Sequence, residues 1–406
     1  MSNPATFAVF RKLAKQTPSK MVLLILDGVG GLPMTPGGMT ELEAARTPNL
    51  DALAAISSLG ETVPVLQGIT PGSGPGHLGL FGYDPIEYQV GRGALEAVGI
   101  DFDLRPTDVA ARGNFCTLDA QGNVADRRAG RPSDEVCQRV SALLDGIAVG
   151  GDSAQCLVRP VREHRFVLVL RGEGLSERLD ETDPQATGVP ALDVQPLAPE
   201  AVTTAALFNE FIAQAKQRLA DQAPTNGLLL RGFAQYPQLP SLGDTFGLKP
   251  AAIAVYPMYR GLAKLAGMKI LDAGKNLQDQ MTALRAGWEA HDFFFIHHKY
   301  TDSRGEDGDF DAKVAEIEKV DAMVPDILAL KPDVLLVTGD HSTPAKLKSH
   351  SWHPVPVLLH SNVCRTEQAP GFGERQCAHG QLGTVRAVDL LPLMMANAGK
   401  FEKFGA

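Results

Sequence analysis

Acidic and imidazole side chains stand in this sequence where short apolar runs end or begin. Asp27 directly follows VLLIL, and Asp340 with His341 directly follows DVLLVTG. Asp302 lies shortly beyond DFFFIHH, Glu306 comes four residues after it, and His350 just precedes PVLLH. If these runs are strands of one sheet, the groups gather at its carboxyl edge, where open α/β folds bind ligands. Four carboxylates and two imidazoles in one place repel unless cations neutralise them. Oxygen and nitrogen donors suit Mn, Zn, Co or Mg, and two ions are expected. Any one of these residues, taken alone, reads as a solvated loop group; the joint pattern carries the metal reading.

Ser73 stands between glycines in PGSGPGHLGLFGYDP, at the expected start of a helix. Glycine lets backbone N–H groups approach a phosphate, and the helix dipole favours the negative charge. A hydroxyl there is a candidate nucleophile, acidified by a metal as water is on zinc. From Met21 through Ala215 every fixed cation is arginine, including Arg127, Arg128, Arg131, Arg159, Arg162, Arg165 and Arg171. The planar guanidinium grips phosphate and carboxylate at two points, so the tight DRRAGR group is a candidate anion site in an otherwise acidic chain. His164, beside Arg165, is a candidate general acid or base, with a core histidine as the alternative.

Positioning such groups requires an α/β architecture, and the pattern from Met21 onward is strand, glycine-rich loop, helix. TPNLDALAAISSLG has helical spacing ending at Gly60, and the runs at 292–298, 333–339 and 356–360 suit buried parallel strands. Val314, Ile317, Asp321, Val324 and Leu328 fall on one helical face with Asp321 the polar exception, which predicts a βαβ crossover. The middle differs: 115–128 and 156–172 read as hairpins and 198–221 as one long helix. The expected organisation is an extension over 1–20, a metal-binding domain over 21–104 and 251–406, and an inserted α+β domain over 105–250.

The chain of 406 residues carries 38 Lys plus Arg against 47 Asp plus Glu, a net charge of -9 with no long basic run, which argues against nucleic acid as a partner. No apolar stretch approaches the roughly 18 residues that cross a bilayer, so no membrane partner is expected. Five cysteines without a CxxC pair read as reduced thiols of a cytoplasmic protein. Nothing in the sequence specifies an oligomeric state.

The longer motifs LLILDGVGGLP, ARTPNLDALA, PGSGPGHLGLFGYDP, GRGALEA, DRRAGR, RGEGLS, YPMYRGLAKLAGM and TGDHSTP resemble those of the archaeal-type cofactor-independent phosphoglycerate mutases, in the alkaline phosphatase superfamily. The resemblance runs from about Met21 to Leu391. It implies an alkaline-phosphatase-like sheet sandwiched by helices, with a smaller α+β domain inserted. It also implies two divalent metal ions, manganese first with magnesium, cobalt or zinc as alternatives, and no 2,3-bisphosphoglycerate. Asp27, Ser73, Asp340 and His341 match the ligands of one metal, with Ser73 the nucleophile that becomes phosphoserine. Asp302 and His350 match ligands of the other. One departure stands out: the family has a histidine where this chain has Glu306, which predicts a site richer in oxygen. His353 is a possible substitute ligand, and His297 and His298 read as structural. Arg127, Arg128, Arg131, Arg165 and Arg171 resemble the substrate-binding set, joined by Arg260 and Lys264. The activity implied is interconversion of 3-phosphoglycerate and 2-phosphoglycerate in central carbon metabolism. The alternatives are a phosphatase or phosphotransferase of the same superfamily, and a non-catalytic phosphometabolite-binding protein.

Overall fold

Six consecutive apolar residues, Met21–Leu26, form a strand buried along its whole length, as a run with no polar face must be. This is β1 of a computed structural model that describes residues 4–151, 153–366 and 368–405. In chain order follow β2 (Ser58–Val63), β3 (Val109–Leu118), β4 (Val124–Asp126), β5 (Ile147–Val149), β6 (Ala154–Arg162), β7 (Arg165–Arg171) and β8 (Gly227–Ala234). The chain then adds β9 (Pro250–Ile253), β10 (Lys269–Ile270), β11 (Phe293–His298), β12 (Val334–Thr338), β13 (Val355–Ser361) and β14 (Gly383–Arg386). Two compact units result: Met1–Gln89 with Leu239–Ala406, and Val90–Gln238.

The first unit holds an eight-stranded sheet in the order β10-β9-β11-β1-β12-β13-β2-β14. β1 lies parallel between β11 and β12, with Ile25 level with both His297 and Thr338. The residues just beyond these three strands therefore emerge side by side at one edge. Helices Leu277–Gly287 and Phe310–Asp321 contribute Met281, Leu284, Ile317 and Val320 to a core shared with Leu24, Phe294 and Leu335.

Three expectations are corrected here. β13 pairs antiparallel with β12, because the segment between them turns back without the crossover helix that a parallel return needs. The helix expected to run to Gly60 ends at Ala54, and Ser58–Val63 is a strand instead. A Cβ at Gly60 would meet the Gly383 carbonyl oxygen at 2.4 Å, so this position needs glycine for strand pairing rather than for a helix end. The helix through Ile317 stops at Asp321, which is no stray polar group: its carboxylate accepts the Leu50 N–H at 2.8 Å and the Asn49 side-chain amide at 2.9 Å. It caps the N-terminus of helix Pro48–Ala54, where a negative charge is favourable.

The second unit is a six-stranded sheet in the order β4-β3-β7-β6-β5, with β8 also paired to β3, antiparallel at every pairing. Helix Val202–Leu219 lays Ala205, Phe208, Ile212, Ala215 and Leu219 against it. Its limits differ from the expected 105 and 250. Helix Arg92–Gly99 already packs on β3, where Gly93 comes so close that a Cβ would lie 2.3 Å from the Ala110 carbonyl oxygen. On the return, helix Leu242–Phe246 packs on helix Pro4–Leu13 of the N-terminal extension, through Phe246 against Phe7 and Phe10.

Candidate metal centre and anion site

The parallel strands deliver Asp27, Asp340 and His341 to one buried place. His341 Nε2 lies 3.4 Å from Asp27 Oδ1 and 3.2 Å from Asp340 Oδ2. Helix Tyr300–Asp307, which follows β11, brings Asp302 in its first turn. His350, ahead of the antiparallel β13, reaches the same edge, with its Nε2 3.5 Å from Asp302 Oδ1 and its ring stacked on His341 at 3.6 Å. Two ligand groups result: Asp27, Asp340 and His341, and Asp302, His341 and His350, with donor atoms in each group within 4.8 Å of one another.

A neutral imidazole has one lone pair, so His341 serves one group at a time. Thr343 decides which. Its hydroxyl donates its only hydrogen to Asp302 Oδ1 at 2.6 Å, so at 3.0 Å from His341 Nδ1 it acts as acceptor. The imidazole therefore carries its proton on Nδ1, and the Nε2 lone pair faces Asp27 and Asp340. These residues fit a cation: Asp27 Oδ1 and Asp340 Oδ2 are buried and accept no hydrogen bond, and buried carboxylate oxygens left so are costly.

Ser73 is the first residue of helix Ser73–Leu80, and its Oγ lies 3.2 Å from His341 Nε2. The helix comes this near because Gly76 has no side chain: a Cβ there would sit 2.3 Å from the Asp340 carbonyl oxygen. Glu306 is placed differently from the expected ligand. Its carboxylate stands 3.9 Å from His350 Nε2, with 56% of the side chain exposed, outside both groups. Burial and the nearby Asp302 raise its pKa, with Lys299 and His350 opposing. His353 is not brought to either group; its Nδ1 lies 3.0 Å from Ser351 Oγ.

Four participants escape a reading by sequence. Lys299 Nζ lies 3.2 Å from Asp27 Oδ2 and donates to Asp302, so one ammonium bridges the two ligand groups. Burial works to raise the Asp27 carboxyl, yet Lys299, then His297 and His341, hold it well below the usual value. Tyr259 donates its hydroxyl to Asp27 Oδ2, and its ring stacks on His297 at 3.7 Å. His77 Nδ1 donates to the Ser73 carbonyl at 2.8 Å and lies 3.2 Å from Asp340 Oδ2, tying the helix to the ligand strand. Burial disfavours its charge, but Asp340 and Asp27 outweigh that and raise its pKa. Thr343 is the fourth. His298, one residue past His297, points to the other face of the sheet and bonds Glu316 at 3.0 Å. The spacing of Lys299 before Asp302, and of His77 one turn after Ser73, was a usable signal.

In the second unit, His164 is buried, and burial, then Arg165, Arg128, Arg112 and Arg131, push its pKa down to about 4. An imidazole held neutral among guanidinium groups marks a place of strong positive potential. Glu96, 3.2 Å from Arg112, adds one half-buried carboxylate to that neighbourhood. Arg127 forms a two-point pair with Asp183 at 2.9 and 2.7 Å, and Arg171 one with Asp108 at 3.0 and 2.7 Å, because buried Asp183 and Asp108 each need a cation. Arg260 and Lys264 lie in the first unit, half-buried on helix Pro257–Leu265, which also carries Tyr259. Among the described residues no helix is long and apolar enough to cross a membrane.

Comparison with known proteins matches residues 54–226 to the family model for 2,3-bisphosphoglycerate-independent phosphoglycerate mutase. A "probable 2,3-bisphosphoglycerate-independent phosphoglycerate mutase" of Thermus thermophilus is 52% identical over 403 residues, 98% of this chain and 99% of that protein. One of Thermotoga maritima is 50% identical over 395 residues, 97% and 98% of the two chains. Among solved structures, a Pyrococcus horikoshii protein superposes with a TM-score of 0.82 at 30% identity, covering 96% of this chain and 99% of its own. The cofactor-independent phosphoglycerate mutase of Thermoplasma acidophilum gives 0.71 at 28% identity, with coverage of 94% and 100%.

Proposed function

The chain belongs to the 2,3-bisphosphoglycerate-independent phosphoglycerate mutases, and from that membership we propose that it interconverts 3-phosphoglycerate and 2-phosphoglycerate through a phosphoserine on Ser73. The observation that carries this reading is Ser73 Oγ at a helix start, 3.2 Å from the His341 nitrogen that faces two unpartnered carboxylate oxygens.

Asp27, Asp340, His341 and Ser73 would hold one divalent cation, and Asp302 and His350, with Glu306 near, a second. Such ions, manganese first among the candidates, supply positive charge that acidifies a serine hydroxyl and neutralises phosphoryl oxygens. Ser73 Oγ gives up its proton and attacks the phosphorus; the Oγ–P bond forms, the bond from phosphorus to the glycerate oxygen breaks, and that oxygen takes up a proton, so the net proton transfer is from the Ser73 hydroxyl to the departing glycerate hydroxyl. The N–H groups of Ser73 and Gly74, in the first turn of the helix, have no intrahelical partner by helix geometry and suit phosphoryl oxygens. Lys299 adds a further positive charge beside Asp27 and Asp302.

Return of the phosphoryl group to the other glycerate oxygen requires the hydroxy acid to be retained. Arg128, Arg131 and Arg165, with Arg112 beside them, give the second unit guanidinium groups suited to a carboxylate, and Arg260 and Lys264 are proposed substrate-binding cations of the first unit. His164, held neutral among these guanidinium groups, is the proposed general acid or base for the glycerate oxygen. Arg127 and Arg171 act through Asp183 and Asp108, by fixing the loops that carry their neighbours. The substrate is a small phosphorylated hydroxy acid, and a cytoplasmic place in central carbon metabolism is part of the same proposal.

The test is a coupled assay of 3-phosphoglycerate turnover without 2,3-bisphosphoglycerate, on protein stripped of metal and then supplied with Mn²⁺. Acid quenching should trap phosphoserine at position 73. Ser73→Ala should abolish turnover and the trapped phosphate while leaving the fold intact; substantial turnover in a clean preparation of that variant refutes the assignment.

A further inference from the structure

Lys313 is fully buried in helix Phe310–Asp321, with no part in the chemistry described above. Its ammonium donates to three backbone carbonyls: Gly28 at 2.9 Å, Gly30 at 3.1 Å and Thr343 at 2.8 Å. Gly28 adjoins Asp27, and Thr343 lies two residues after His341. These carbonyls therefore belong to the two loops that carry the ligands of the first metal group. The Thr343 N–H approaches the same Gly28 and Gly30 oxygens at 3.2 and 3.1 Å, so the ammonium and this amide share one junction between the loops.

Glu41 stands 4.0 Å from the ammonium. It is buried too, and its carboxylate accepts the N–H groups of Leu32 at 3.1 Å and Ala345 at 2.7 Å, one from each of the same two loops. A buried cation and a buried anion thus bind the carbonyls and the amides, respectively, of one loop pair. Enclosing these charges is expensive, and a purely apolar contact would hold two loops together at less cost. What the ion pair adds is direction, since each hydrogen bond fixes a backbone orientation.

That orientation reaches the ligands through Thr343. Its carbonyl is held by Lys313, and its hydroxyl bonds both His341 Nδ1 and Asp302 Oδ1. Moving the Thr343 backbone displaces the group that fixes the His341 tautomer and one oxygen of Asp302. Resting on the proposed two-metal site, we infer that Lys313, with Glu41, is a positioning residue that sets the spacing of the ligand loops and so the metal affinity of this enzyme.

The test is Mn²⁺ binding by isothermal titration calorimetry on metal-stripped full-length protein, with thermal unfolding measured alongside. Lys313→Met keeps the chain length and removes the charge and the donors. It should weaken Mn²⁺ binding by about 10- to 100-fold, the range seen when groups behind metal ligands are lost. Ile317→Val, in the same helix and core, should lower the melting temperature and leave Mn²⁺ affinity within about twofold of wild type. Lys313→Met that binds Mn²⁺ like wild type, or Ile317→Val that weakens binding as much, overturns the inference. Should Lys313→Met not accumulate as folded protein, Glu41→Gln is measured in the same way: a tenfold loss supports the inference, and unchanged affinity overturns it. Wild-type protein that takes up no Mn²⁺ would overturn the metal-site reading itself and this inference with it.

Discussion

Replacing Gly76 by alanine tests the placement of Ser73 without touching a reactive group. The new Cβ would lie 2.3 Å from the Asp340 carbonyl oxygen and 3.0 Å from its carbonyl carbon. Comfortable contact needs about 3.5 Å, so helix and strand end must part by about 1 Å. The obstacle is backbone, so no side chain can swing aside. Gly76 and Ser73 share the first helical turn, and the Gly76 N–H donates to Gly72 at 3.1 Å, so the nucleophile moves with the glycine. A misplacement of about 1 Å is worth roughly 100-fold in rate, or about 2.7 kcal/mol of barrier. The stability effect is smaller: alanine gains about 1 kcal/mol of helix propensity, and overpacking costs about 1–3 kcal/mol. Gly76→Ala should therefore lower kcat/KM in the coupled assay by about 100-fold, with a change of only a few degrees in melting temperature. Gly72→Ala is the comparison, because a Cβ there meets only Pro75 Cδ at 3.8 Å, an ordinary contact. Its loss should stay below about tenfold. A Gly76→Ala enzyme within threefold of wild type would show that the close approach of helix and strand does not place the nucleophile.

Glu306 stands outside both groups but 3.9 Å from His350, so Glu306→His adds an imidazole at the edge of the second group and should shift activation from Mn²⁺ toward Zn²⁺ or Co²⁺, which imidazole suits; an unchanged metal profile with both sites filled refutes this. His164 carries a pH signature. Its pKa falls from 6.5 to about 4 on folding, so below pH 6.5 the unfolded chain binds a proton that the folded unit refuses. Stability is therefore lost as pH drops from about 6.5 toward 4, by at most about 2 kcal/mol between pH 7.5 and 5. His164→Gln should flatten that part of the slope in urea titrations, and an undiminished slope would place its source elsewhere. Arg131→Ala should raise the ratio of inorganic phosphate release to mutase turnover, since a loosely held glycerate escapes and water attacks the phosphoserine; an unchanged ratio removes Arg131 from retention.

Asp27, Asp302, Asp340 and His341 were legible because each stands just past an apolar run, and parallel neighbours with common register bring such positions together. His350 reached the same edge for a different reason, since its strand runs antiparallel and presents its beginning there. The strand SLGETV was not legible: it follows a helical run without a breaker, and only the close packing of Gly60 on its neighbour shows what the glycine is for. Arg127 and Arg171 carried the right chemistry for an anion, but whether a guanidinium meets substrate or protein depends on Asp183 and Asp108, 56 and 63 residues away in the chain.

Lys313 shows that a pattern can be present in the sequence and still pass unread. It lies four residues before Ile317 and seven before Val320, on the core-facing stripe of its helix, yet a lysine in AKVAEIEKV reads as a solvated residue. A charged residue on a buried face demands partners, and backbone carbonyls, which leave no trace in a sequence, are the partners here. The same holds at Thr343, where one hydroxyl sets which nitrogen of His341 faces the carboxylates. The gathering of these carboxylates and imidazoles follows from residue types at strand ends. Their orientation follows from backbone groups and a buried ion pair, and that part of the site is visible only once the chain is folded.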